Sequence, residues 1–147
     1  SDADIAAAAP ILSLLGGSET VLVVEDQDDV RRLAVDALRS YGFRVLETAS
    51  GGDALVLVQH HSGPIHLMLT DVVMPRMTGK ELAERLKNHR PLMQVLFMSG
   101  YAEDVIAHHG VLDQGVDFIP KPFTPEGLAR KVREMLGRDG VAAAAKA

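Results

Sequence analysis

Five polar side chains stand where apolar runs stop. Glu25 and Asp26 follow TVLVV, Asp71 follows HLMLT, Ser99 follows QVLFM and Lys121 follows VDFIP. A lone acid at the end of a buried strand is unfavourable unless something pairs with it. Three acids brought together repel one another, and at short range in a low dielectric that repulsion reaches several kcal/mol, so about that much must be offset. A hard divalent cation is the simple remedy, and Mg2+ is commonly held by one or two carboxylates together with waters and a phosphate. An ionised Asp can attack phosphorus and form an aspartyl phosphate. Mg2+ and a lysine would then offset the charge on the moving phosphoryl group, and a serine hydroxyl would donate to one of its oxygens. Asp71 as nucleophile, with Glu25, Asp26, Ser99 and Lys121 around it, fits that chemistry if the fold brings the five together.

The elements needed to do so are readable from the pattern. Thr20 to Glu25 is an apolar strand, and a helix follows with Val30, Leu33, Ala34, Ala37, Leu38 and Tyr41 at helical spacing, stopped by Gly42. Phe43 to Thr48 mixes polar and apolar residues, as an edge strand does. Ser50 caps a helix from Gly51 to about His61, ended by Gly63-Pro64. His66 to Asp71 reads as a strand buried on both faces. Thr78 and Glu81 form a capping box for the next helix, with Leu82 and Leu86 inward. Gln94 to Met98 is another buried strand, followed by a weaker helix over Ala102 to Leu112 that Gly110 interrupts. Val116 to Ile119 is a mixed, edge-like strand. Thr124 and Pro125 start a last helix whose stripe is Leu128, Val132, Met135 and Leu136, with Gly137 as its stop. Residues 1–18 read as an alanine-rich tail or linker, 19–137 as one domain and 138–147 as a C-terminal tail.

Strand and helix alternate five times, which predicts an α/β fold: a doubly wound, five-stranded parallel sheet with helices on both faces. The mixed strands are the second and fifth, and the order 2-1-3-4-5 puts both at the edges. In such a sheet the ligand site lies beyond the carboxyl ends of the strands, at the switch between the first and third. That is where all five polar residues fall.

The totals narrow the function classes. The 147 residues suit one domain with a real core, and 47% hydrophobic content argues against disorder of the whole. A net charge of -5 leaves no basic surplus for nucleic acid. The apolar runs fall short of the roughly 20 residues that span a bilayer. The absence of cysteine excludes disulfide and thiol chemistry and suits the cytoplasm.

The acidic pair in VVEDQDDVR, the acid in LTDVVMPRMTG, the hydroxyl in FMSGYA and the lysine in DFIPKPF occur in this order and phase. On those four motifs the chain resembles the receiver domain of two-component response regulators, over about Glu19 to Gly137. The resemblance implies the flavodoxin-like (βα)5 fold and a phosphoacceptor signalling module rather than a turnover enzyme. It implies that Asp71 takes a phosphoryl group from a phosphohistidine, supplied by a histidine kinase or a histidine phosphotransfer domain. It implies Mg2+, for which Mn2+ substitutes, held by Asp26, Asp71 and the Val73 carbonyl, with Glu25 acting through water. It makes Ser99 the switch hydroxyl, Lys121 the phosphoryl contact, and the Lys121–Pro122 bond cis. Two positions depart from the common pattern. The switch aromatic is Phe118, without a hydroxyl, and Tyr101 is bulky where many receivers carry a small residue. The stretch MSGYAEDV…LDQGVDFIPKPF looks more like receivers attached to hybrid histidine kinases than like those fused to DNA-binding domains.

Plainer readings stand beside these. Glu25 and Asp26 alone suit a helix N-terminus, and the His60-His61 and His108-His109 pairs suit helix C-termini rather than metal sites. Two other functions use the same residues: a Mg2+-dependent aspartyl-phosphate phosphohydrolase, and an unphosphorylated interaction domain on a receiver scaffold. The first typically needs an Asp two residues after the nucleophile as general acid/base. Val73 occupies that position.

Overall fold

The structure is a computed structural model that describes residues 17–100 and 116–146, with side chains through 137. Its elements in chain order are β1 (Thr20–Val24), α1 (Asp28–Ser40), β2 (Arg44–Thr48), α2 (Gly51–His60), β3 (Leu67–Asp71), α3 (Gly79–Lys87), β4 (Gln94–Ser99), β5 (Asp117–Pro120) and α4 (Pro125–Lys146). The strands form one parallel sheet in the order β2-β1-β3-β4-β5, as the mixed composition of β2 and β5 predicts.

Alternation along the strands feeds two cores. Val21, Val23, Leu67 and Leu69 face Ala34, Ala37 and Leu38 of α1 and Leu128, Val132 and Met135 of α4. Leu22, Val24 and Met68 face Ala54 and Val58 of α2 and Leu82 and Leu86 of α3. A smaller cluster holds Val72 and Phe97, with Phe118 half-buried against them. No helix among the described residues is long and apolar enough to cross a membrane.

The caps follow the sequence signals. The Ser50 side chain accepts from Asp53 N at 3.1 Å, and Thr78 and Glu81 make the capping box. The end of α2 is closed by a residue that local patterns do not reveal. Arg90, after α3, donates to the carbonyls of His61 at 2.7 Å, Val58 at 3.3 Å and Gly63, satisfying acceptors that the helix end leaves open. At the amino end of the sheet, Arg133 of α4 makes a two-pronged pair with Glu19, at 2.6 and 3.2 Å, tying the last helix to the start of β1. Burial works against the Glu19 carboxylate, but the hydrogen bonds and charge of Arg133 prevail and hold it below the usual range.

Two expectations need correction. Leu33, read as part of the inner stripe of α1, is 42% exposed, while Val35 is buried. The spacing of Ala34, Ala37 and Leu38 centres the stripe so that position 35 lies at one border and position 33 at the other. Val35 falls on the side of Arg31 and Arg39, which reach Glu47 of β2, while Leu33 lines the open cleft beside Pro122 and Phe123. The last helix, expected to stop at Gly137, runs on to Lys146. A glycine costs a helix interior only about 1 kcal/mol, and the run Ala142 to Ala145 consists of the best helix former. The helix expected over Ala102 to Leu112, Tyr101, the His108-His109 pair and most of the N-terminal tail lie outside the described residues.

Candidate functional site

The carboxyl ends of β1, β3 and β4 and the start of the segment after β5 meet at one edge of the sheet. Register fixes the arrangement: Val24 pairs with Thr70, Asp71 with Met98, and Ser99 with Pro120. Glu25, Asp71 and Lys121 are thereby brought together. The Lys121 Nζ lies 2.7 Å from Asp71 Oδ1 and 3.4 Å from Glu25 Oε2. Glu25 is fully buried and Asp71 is 5% exposed, whereas Asp26 is exposed at the rim. One carboxylate oxygen from each of the three acids lies within 4.8 Å of the others. The site opens into a cleft of ≈ 750 Å³ whose walls include Val73, Met74, Pro122 and Phe123.

Each member is held by its own element. Glu25 N donates to Thr48 O at the end of β2, and Glu25 Oε1 accepts from Gln27 N at 3.1 Å. Asp71 ends β3, and α3 begins against its backbone. Gly79 N donates to Val72 O at 2.8 Å, and a Cβ at Gly79 would land inside the van der Waals surface of the Asp71 carbonyl oxygen. Lys121 N donates to Ser99 O at 2.9 Å, so the lysine and the serine share a backbone link. The Lys121–Pro122 bond is cis. Ser99 is half-buried at the end of β4, Val73 is 46% exposed at the mouth, and the Phe118 ring lies 5.8 Å from that of Phe97.

Electrostatics match the crowding. Burial, then the hydrogen bond and charge of Asp71, push the Glu25 carboxyl up to about 8, against the pull of Lys121. Burial disfavours the Lys121 ammonium, but the hydrogen bond and charge of Asp71, with those of Glu25, outweigh it and raise Lys121. With no cation bound, the pocket relieves its repulsion by keeping a proton on Glu25. The donors are oxygen only, which suits a hard cation such as Mg2+.

Two residues of the site escaped the sequence reading. One is Gly79, whose signal is a glycine between a Thr cap and the first acid of the helix. The other is Arg31, whose guanidinium reaches the Glu25 carbonyl at 2.8 Å. An arginine in the polar run DDVRR at the start of a helix carries no local signal of that kind.

A parallel sheet in the order 2-1-3-4-5 with three acids and a lysine at its carboxyl edge is the architecture of a phosphoacceptor module. The chain belongs to the response regulator receiver domain family, which it matches over residues 21–133. It is 45% identical over 122 residues to the sensor kinase CckA of Brucella abortus (strain 2308), covering 83% of this chain and 13% of that protein. It is 33% identical over 116 residues to the response regulator receiver protein CpdR of the same organism, covering 79% of this chain and 95% of that one. Among solved structures it is similar to the receiver domain of the hybrid histidine kinase CckA, at a TM-score of 0.66 and 34% identity, over 80% of this chain and 98% of that one. Its role is that of a phosphoacceptor in two-component signalling. Receiver domains bind Mg2+ at an acidic pocket, and they interact with histidine kinases or phosphotransfer proteins.

The proton on Glu25 should make cation uptake pH-dependent. A carboxylate that faces a cation, directly or through water, favours it only when deprotonated, so uptake of Mg2+ should displace that proton. Since Glu25 gives up its proton at about 8, apparent Mg2+ affinity should be weakest in mild acid and rise with pH until that value. Below it the rise should approach tenfold per pH unit and above it flatten, about as proton linkage requires. Calorimetric titrations between about pH 6 and 9 would measure it. An affinity that stays level across that range would mean that no proton is displaced.

Proposed function

We propose that Asp71 is the residue that accepts the phosphoryl group, from a phosphohistidine on a histidine kinase or a histidine phosphotransfer domain. The observation that carries this reading is the 2.7 Å contact between Lys121 Nζ and Asp71 Oδ1, inside a pocket that also gathers Glu25 and Asp26. In the transfer, an Asp71 carboxylate oxygen attacks phosphorus, the P–N bond to the imidazole breaks, and the imidazole keeps the electron pair. Lys121 follows the charge from Asp71 to the phosphoryl oxygens, so a cation faces negative charge throughout. Asp26, Asp71 and the Val73 carbonyl would hold Mg2+, with Glu25 acting through water, and Mn2+ would substitute. The bound cation supplies charge neutralisation for the phosphoryl oxygens.

Ser99 donates its hydroxyl to the new phosphoryl group. Its carbonyl is bonded to Lys121 N, so a shift there passes to β5 and to Phe118, which moves as an apolar ring against Phe97. Tyr101, the other switch candidate, lies outside the described residues. The domain proper spans residues 19–137. We place it with receivers attached to hybrid histidine kinases rather than with those fused to DNA-binding domains, on the strength of its likeness to the CckA kinase. The phosphohydrolase reading is disfavoured because Val73, at the mouth of the site, offers no acid or base.

The test is chemical. Acetyl phosphate with Mg2+ or Mn2+ should add one phosphoryl mass, mapped to Asp71, and chelation should stop it. Uptake at another residue, or uptake indifferent to chelation, would overturn the assignment.

A further inference from the structure

Arg31 sits one turn into α1, five residues after Asp26, with its side chain 18% exposed. Its guanidinium turns back toward the end of β1. Nη1 donates to the Glu25 carbonyl at 2.8 Å, Nη2 meets Asp28 Oδ1 at 2.6 Å, and Nε lies 3.8 Å from Glu47 Oε1 on the edge strand β2. Arg31 does not line the cleft into which Asp71 and Lys121 open. Its charge is therefore spent on a backbone oxygen and on two acids outside the site, and Lys121 alone supplies the cation beside Asp71 among the described residues.

A peptide unit is planar, so fixing the Glu25 carbonyl also fixes the Asp26 amide and the Cα from which the Asp26 side chain leaves. Asp26 is exposed, and its aim depends on the backbone that carries it. The same carbonyl belongs to Glu25, whose N and Oε1 are held by Thr48 and Gln27. Arg31 closes the remaining side of that frame and anchors it across to β2. We infer that Arg31 is a positioning residue for cation uptake: a strap that holds the β1–α1 turn so that Asp26 and Glu25 converge with Asp71. The inference rests on the receiver reading of the acidic pocket and adds to it a residue outside the pocket.

The sign of the effect separates this role from simple charge. Removing a positive side chain near a cation site should, by Coulomb's law alone, leave Mg2+ binding unchanged or tighten it. Removing a strap should weaken it. In calorimetric Mg2+ titrations, Arg31→Ala should bind at least about tenfold more weakly than wild type, as loss of an outer-shell partner does. Arg32→Ala, which removes the same charge from the neighbouring exposed position, should bind as tightly as wild type or more so. Arg31→Lys, which keeps one donor, should fall between. In acetyl phosphate labelling, Arg31→Ala should need more Mg2+ for half-maximal rate, yet reach within about twofold of the wild-type rate at saturation. Arg31→Ala binding Mg2+ as tightly as wild type, or more tightly, would overturn the inference. If Arg31→Ala fails to fold by circular dichroism, Arg31→Lys decides, and wild-type affinity there would overturn it. A wild-type protein that binds Mg2+ but takes no label would instead sink the phosphoacceptor reading, and the titrations would still judge Arg31.

Discussion

Asp71→Asn should take up no phosphoryl group from acetyl phosphate, while its fold should survive and gain stability. The amide oxygen that replaces the carboxylate is not a nucleophile at neutral pH, and the remaining acids, Glu25 and Asp26, lack its contact with Lys121 at 2.7 Å. The gain in stability follows from Glu25. Its folded-state value of about 8 lies above the ordinary carboxylate range, so in the metal-free protein it opposes folding as pH rises from the unfolded value toward 8. Asp71 supplies much of that shift, after burial. Neutralising position 71 removes that repulsion, and Glu25, 3.4 Å from Lys121, can ionise and take over the pairing that Asp71 gave the lysine, so metal-free stability near pH 7 should rise by about 1 kcal/mol. Intact-mass measurement and urea unfolding in chelator check the two halves. Labelling of the variant at the wild-type rate would remove Asp71 from its role, and a destabilised variant at pH 7 would mean that the acids do not repel as described.

Gly79→Ala should destabilise the domain by about 2–3 kcal/mol, although alanine is the better helix former by about 1 kcal/mol. The new Cβ meets the Asp71 carbonyl oxygen, with the Asp71 carbonyl carbon at 3.1 Å and Phe97 Cε1 at 3.3 Å behind it. Two of those three atoms are backbone at the end of a fully buried strand, so relief requires α3 to slide or β3 to bend. Either movement displaces the acceptor, and labelling should slow together with the loss of stability. Urea unfolding read alongside the labelling rate measures both. A midpoint equal to or above that of wild type would show that α3 accommodates the methyl group and that the close approach at Gly79 is not limiting.

What could be read from the sequence was whatever a local pattern encodes. Apolar runs such as VLVV and LMLT gave the central strands, and the mixed runs RVLET and VDFI gave the edges. Ser50 and the Thr78–Glu81 pair announced helix starts because capping is a matter of neighbours three residues apart. Glu25, Asp71 and Lys121 were found because each ends an apolar run, and strand order turns that into proximity. Arg90 capping α2, Arg31 holding the Glu25 carbonyl and Arg133 gripping Glu19 were missed. Each is a long side chain whose partner is set by the packed fold, not by spacing. Leu33 and the helix beyond Gly137 failed for a related reason: helical periodicity gives a face only to within a residue, and a glycine near a helix end marks a preference, not a stop.

The contact between Lys121 and Glu25 joins residues 96 apart, while the sheet pairings of β1 with β2 and of β3 with β4 join neighbours in the chain order. Closing the longer loop carries the larger chain-entropy penalty, so it belongs late on the folding path. The acids of β1 and β3 therefore approach each other before the lysine that neutralises them arrives. Until the lysine arrives, the proton on Glu25 is what relieves the acids, and a φ-value near zero at Lys121 is the expected kinetic mark of that order. For this domain, the residues gathered at the carboxyl edge of the sheet should then be among the last to lock into place.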